Sequence, residues 1–145
     1  MLTKQQIIDQ FKGNIHCSQV VLGEFAEQLG YDREEAMKIA SPFGGGMFIG
    51  DTCGAVAGAL IAIGMKYGNG EHGDKAQDEL CQTKVKQFQE AFAARNNTTI
   101  CRDLLGYDFG DSEQKKAAFT SGKIAQVCPG FVQDAIEILG QVLED

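Results

Sequence analysis

The chain has 145 residues, 43% of them hydrophobic and 23% charged, with a formal net charge of −7. That length suits one domain with its own core, and the acidic balance, without a cluster of Lys and Arg, argues against a nucleic-acid partner. The N-terminal MLTKQQIIDQF lacks a basic region followed by an apolar core, so no signal peptide is expected, and the most apolar run, Cys53 to Met65, is shorter than the ~20 residues of a membrane span.

Apolar residues recur at helical spacing and no stretch alternates as a strand would. The sequence therefore predicts an all-α fold, a single compact bundle of about six to seven helices over residues 1–145, with a Gly-rich loop before the central helix. Thr3 and Gln6 form a capping box for a first helix to about Phe11, broken by Gly13-Asn14. Asn14 is the expected cap of a second helix, apolar through Val20, Val21, Leu22, Phe25 and Leu29, that Gly30 ends. Asp32 with Glu35 opens a third, stopped by Pro42. Beyond the glycine loop, Thr52 or Asp51 is expected to cap an Ala/Ile/Leu-rich helix ending near Tyr67-Gly68. GNGEHG (Gly68–Gly73) reads as a loop. Asp74 then opens a long helix to about Arg95, with Leu80, Cys81, Val85, Phe88 and Phe92 along one face. Thr98 or Thr99 caps ICRDLL, which Gly106 closes, and Asp111 or Ser112 begins a helix to about Thr120. The lysines of QKKAAF (Gln114–Phe119) read as a solvated face. Pro129 is expected at the first position of the last helix, which its fixed φ suits.

Between Ser41 and Gly64 seven glycines surround one cysteine, and a phosphate cradle is the first reading to test. GGMFIGDT sets Gly45, Gly50 and Thr52 at P-loop offsets but puts Asp51 where the phosphate-binding lysine belongs, and a carboxylate repels phosphate. The dinucleotide fingerprint fails at Ile49, and no βαβ pattern surrounds it. The glycines point instead to the thiol. Cys53 falls in a first helical turn, where unpaired N–H groups and the positive end of the helix dipole favour a thiolate. Gly54 and Gly58, with Ala55, Ala59 and Ala62, form a smooth ridge for a neighbouring helix.

Five cysteines is an odd number, so a disulfide framework would leave one over. Without a leader the expected location is cytoplasmic, where cysteines more often bind metal or do redox work. Cys17, Cys53, Cys101 and Cys128 each fall at a predicted helix start. Cys81 sits in an apolar stripe and reads as a small buried hydrophobe. His16, beside Cys17, reads as a surface or capping residue, with a base or ligand as the alternative, and His72 as a loop residue. Asp51 reads as a cap, and Met47 and Phe48 as packing or as a wall against water.

Cys17, CGAVAG (Cys53–Gly58), CRDLLGYD from Cys101 and CPGFVQDAIEIL from Cys128 resemble, in that order, the C_GCAxxG_C_C family of redox-active proteins. The resemblance runs from about Cys17 to the C-terminus. It implies a helical domain in which these four cysteines are the family's shared residues and redox activity is the function. Cys81 matches none of the four positions. Some relatives are split-Soret-type cytochromes with haem and an iron–sulfur centre, but this chain has no C-x-x-C-H, so no covalent haem is expected.

Four thiolates suit an iron–sulfur cluster or zinc, although no local C-x-x-C pair announces one. Cys17, Cys53, Cys101 and Cys128 are thus the candidate catalytic, cofactor-binding and metal-ligating residues. Iron–sulfur electron transfer leads, because four gathered thiolates repel unless a cation joins them. A metal-free thiol–disulfide oxidoreductase with Cys53 as the attacking thiolate is the alternative, and a zinc-stabilised interaction domain the second. A redox partner is implied without being identified, and the small-residue ridge permits a homodimer.

Overall fold

The computed structural model describes residues 1–144. Eight α-helices carry the fold, with no strand among the described residues: α1 (Lys4–Lys12), α2 (Cys17–Phe25), α3 (Arg33–Ala40), α4 (Gly54–Tyr67), α5 (Lys75–Asn96), α6 (Cys101–Leu105), α7 (Ser112–Thr120) and α8 (Lys123–Glu144). The all-α class agrees with the sequence. The number exceeds the six or seven expected of the bundle but equals the helical segments read in chain order, with α6 ended by Gly106 in the left-handed region and α7 capped by Asp111.

The central helix, α4, packs against α2, α5 and α8. Val20, Val21 and Leu22 of α2, Val56 and Ile63 of α4, Phe88 and Phe92 of α5, and Ile138 and Leu139 of α8 are buried together. Each such side chain contributes roughly 1.5–3 kcal/mol on burial. The expected small-residue ridge is what brings α2 onto α4. A Cβ at Gly58 would lie 2.4 Å from the Ser18 carbonyl oxygen, and one at Gly54 would lie 2.3 Å from the Cys17 sulfur. The buried Ser18 hydroxyl donates to the Ala40 carbonyl at 2.7 Å, tying α2 to the end of α3. At the far end of α8, the Lys66 and Lys84 ammonium groups donate to the carbonyls of Leu143 and Val142, which no helical N–H reaches.

Several caps stand where the sequence places them: Thr3 and Gln6 bond reciprocally, and the Asp32, Asp74 and Asp111 carboxylates accept from first-turn N–H groups. Three do not. Asn14 lies in the turn at φ 65°, and α2 starts after His16. Cys53 itself precedes α4, and Ile100 precedes α6. In the last two cases Thr52 and Ile100 pair in an isolated antiparallel bridge, and the Thr98 hydroxyl accepts from the Ile100 N–H at 3.1 Å instead of from a first-turn N–H of α6.

The larger correction concerns Pro129. Helix α8 starts at Lys123, directly after Gly122 at φ 78°, so Pro129 and Cys128 lie inside the helix. The proline has no N–H for the Ala125 carbonyl, a defect worth ~3 kcal/mol or more. Ile124, Cys128, Phe131 and Ala135 nevertheless continue one inward face across it at helical spacing. No helix among the described residues is long and apolar enough to cross a membrane.

Two glycines of α4 should respond oppositely to a methyl group. Gly58→Ala drives a Cβ into the backbone of α2 and should destabilise by about 1–3 kcal/mol. Gly64 is exposed with nothing within 4 Å of the added atom, so Gly64→Ala should stabilise by about 0.5–1 kcal/mol. Urea unfolding midpoints of the two variants check both signs.

Candidate functional site

Cys17 is the first residue of α2, Cys53 immediately precedes α4, Cys101 is the first residue of α6, and Cys128 lies one turn and a half into α8. All four border one cavity of about 150 Å³. Its other walls are mostly apolar, among them Phe11, Ile15, Leu104, Leu105 and Phe131. Cys53 is 7% exposed and the other three are half-buried. All four are free thiols, and among the described residues no three His, Cys, Asp or Glu side chains converge on one point as a single-ion site. Cys81 lies on α5, packed against the core and apart from the cavity.

Two backbone hydrogen bonds deliver Cys53 and Cys101 together. The Cys53 N–H donates to the Thr99 carbonyl at 2.7 Å, and the Cys101 N–H donates to the Asp51 carbonyl at 2.6 Å. Cys17 reaches the same space because Gly54 has no side chain to displace its sulfur.

The sequence matches the family described as "Putative redox-active protein (C_GCAxxG_C_C)" over residues 15–142, a span that holds all four cavity cysteines. The chain belongs to this family. No curated protein and no solved structure matches it.

The electrostatics of this C_GCAxxG_C_C site overturn one expectation, that a helix start makes Cys53 acidic. Backbone N–H groups of Gly45, Ser18 and Ala55 favour the charged form at Cys17, and those of Ala55 and Val56 favour it at Cys53. Burial outweighs them and pushes both thiols up. The Cys101 thiol is pushed up to about 12, chiefly by burial, then by Cys17 and the Asp108 carboxylate. Cys128 rises well above the ordinary thiol value through burial and the three other cysteines, with no N–H group to offset them, because it lies in a helix body. The four groups are therefore neutral thiols at pH 7 when no cation is present.

The glycine run before α4 lets the backbone close over this site. A Cβ at Gly44 would strike the His16 side chain at 2.6 Å, and one at Gly45 would strike the Phe109 ring at 2.3 Å. Gly45, Gly46, Met47 and Phe48 follow one another at φ 57°, 64°, 57° and 60°, a left-handed turn closed by the Asp51 N–H donating to the Gly46 carbonyl at 3.0 Å. For Met47 and Phe48 that conformation costs about 1–2 kcal/mol each. It is held by the Phe48 ring edge-on to His16 at 5.1 Å and by the Arg102 guanidinium donating to the Gly50 carbonyl at 3.2 Å. Phe48 thus covers His16. His16 lines the cavity, and burial, then Lys115, hold its pKa below the usual value, so it is neutral at pH 7. Asp51 is exposed and acts through its backbone instead of capping α4, and His72 lies exposed in its loop. Phe109 and Phe119 also line the cavity; the sequence carried no signal for them beyond being aromatic.

The raised thiols make a prediction for the reduced, metal-free protein. Each holds its proton more tightly folded than unfolded, so its stabilisation is complete below about pH 8.5 and is lost as pH rises towards the folded values. Urea midpoints should fall between about pH 8.5 and 11, and fall less in Cys101→Ala, whose titration across that range is removed.

Proposed function

We propose that the protein is an electron carrier holding an iron–sulfur centre on Cys17, Cys53, Cys101 and Cys128. The observation that supports this reading is that four cysteines from separate parts of the chain border one shared cavity of about 150 Å³. A single zinc requires every sulfur at about 2.3 Å from one ion, and a disulfide requires two sulfurs at about 2.05 Å. A cluster of several irons requires room between its thiolates, and soft thiolate donors suit it.

The surroundings fit such a group. When bound, it supplies reversible one-electron chemistry. The chain's own residues hold it, exclude water through the phenylalanine and leucine walls, and aim N–H groups at Cys17 and Cys53, contacts of the kind that tune a centre's potential. Loading displaces the thiol protons, so affinity should fall with falling pH. A reducing compartment such as the cytoplasm would keep the thiols available. Thiol–disulfide exchange fits less well, because an attacking cysteine must be accessible and ionised, whereas Cys53 is 7% exposed with a raised pKa. A structural zinc is not needed by a core built from Phe88, Phe92 and Leu139.

Purification without oxygen tests the reading through iron, sulfide and visible absorption. A coloured, iron-containing protein is expected. Cys53→Ser should lose the colour and at least most of the iron, while Cys81→Ser should keep both. A colourless, metal-free protein that forms one specific disulfide would favour thiol exchange, and bound zinc without a redox response would favour the structural class.

A further inference from the structure

One aromatic ring both lines the cavity and faces solvent. Phe119, near the end of α7, lines the cavity and is 59% exposed, and its ring packs on Phe109 with centroids 5.8 Å apart. Lys115 and Lys116 stand four and three residues before it, on the same helix face. Lys123 opens α8 beside Ile124, another wall of the cavity. From Gln114 to Gln133 the chain carries these three lysines and no acidic residue, although its net charge is −7.

None of the three lysines pairs with a carboxylate: the ion pairs among the described residues belong to Arg95. The Lys115 ammonium lies over the Phe48 and Phe109 rings at 5.5 and 5.7 Å, which keeps it beside the cavity mouth. The acidic residues Asp111 and Glu113 sit at the N-terminal end of α7 and Phe119 near its C-terminal end, while Asp108 precedes Phe109, the ring that packs on Phe119. An exposed aromatic anchor rimmed by unpaired cations has the make-up of a protein interface with charge-selected partners.

We propose that Phe119, flanked by Lys115, Lys116 and Lys123, is the docking surface for a small acidic electron-carrier protein. This rests on the electron-transfer reading of the cavity. The argument is charge complementarity: most of this acidic chain repels an acidic partner, and this corner attracts one. A carrier seated here rests on a ring that lines the same cavity as Cys128.

Oxidised plant-type ferredoxin serves as the acidic probe and cytochrome c as the basic control, with binding to the protein as isolated followed by titration calorimetry. Ferredoxin should bind at about 20 mM salt and weaken on the order of ten-fold by about 200 mM, as screening predicts. Lys116→Glu combined with Lys123→Glu should weaken it ten-fold or more with an unchanged far-UV circular dichroism spectrum, and Phe119→Ala should weaken it several-fold. An affinity indifferent to the charge reversals overturns the proposal. So does cytochrome c binding that the same reversals weaken as much as ferredoxin's, or a wild-type dimer in sedimentation that they dissolve, since the face would then serve a second copy. A colourless protein that still docks ferredoxin refutes the cluster and keeps the surface; an iron-loaded protein that ignores ferredoxin does the reverse.

Discussion

The site depends on the pair of short backbone hydrogen bonds that joins residues 51–53 to residues 99–101. These segments lie at the two ends of the α4–α5 helical pair, and their pairing sets two sulfurs beside one space. Closing so long a loop costs only slowly more as the loop lengthens. The closure is also largely prearranged, because Val56 and Ile63 of α4 already pack with Phe88 and Phe92 of α5 in the buried core. The bridge satisfies the N–H groups of Cys53 and Cys101, which would otherwise be unpaired donors beside an apolar cavity. Remove it, and both cysteines lose their fixed positions while the core beneath them keeps its contacts.

A competition between two electrostatic effects decides the resting state of the thiols. The N-terminal end of a helix is worth about 0.3–2 kcal/mol to a nearby anion. Taking an isolated charge out of water costs several kcal/mol. At Cys17 and Cys53 the N–H groups are present and aimed, and burial still prevails. Peptide dipoles here offset only part of that cost. The same apolar walls that keep the thiols protonated would strengthen their attraction to a bound cation, since both effects follow from excluding water.

Much of this architecture was legible in the residues. Side-chain caps at Thr3, Asp32, Asp74 and Asp111 were readable because each acts within its own turn, and Gly106 because its left-handed stop needs no distant partner, whereas α2 ends at Phe25, short of the expected stop at Gly30. The Gly54/Gly58 ridge announced a close approach without naming α2 as the neighbour. Failures occurred where a tertiary contact overrode a local preference. The long-range bridge engages Thr52 and, through its carbonyl, Thr99, while the Thr98 hydroxyl serves the Ile100 N–H. Met47 and Phe48 adopt a backbone that their side chains disfavour, held by His16 and Arg102 from other parts of the chain. The four cysteines were identifiable from the family pattern, but the acidity assigned to Cys53 was not, because helix position can be read from a sequence and depth of burial cannot.

The absent N–H at Pro129 also has a mechanical side. Three of the cavity's sulfurs sit on junctions pinned from outside their own helices: Cys53 and Cys101 by the bridge, and Cys17 by the glycine run laid against it. The fourth is carried on the turn of α8 just before a missing rung, where Ala125 lacks its tether. Of the four cysteines, Cys128 alone therefore rests beside a missing rung of its own helix.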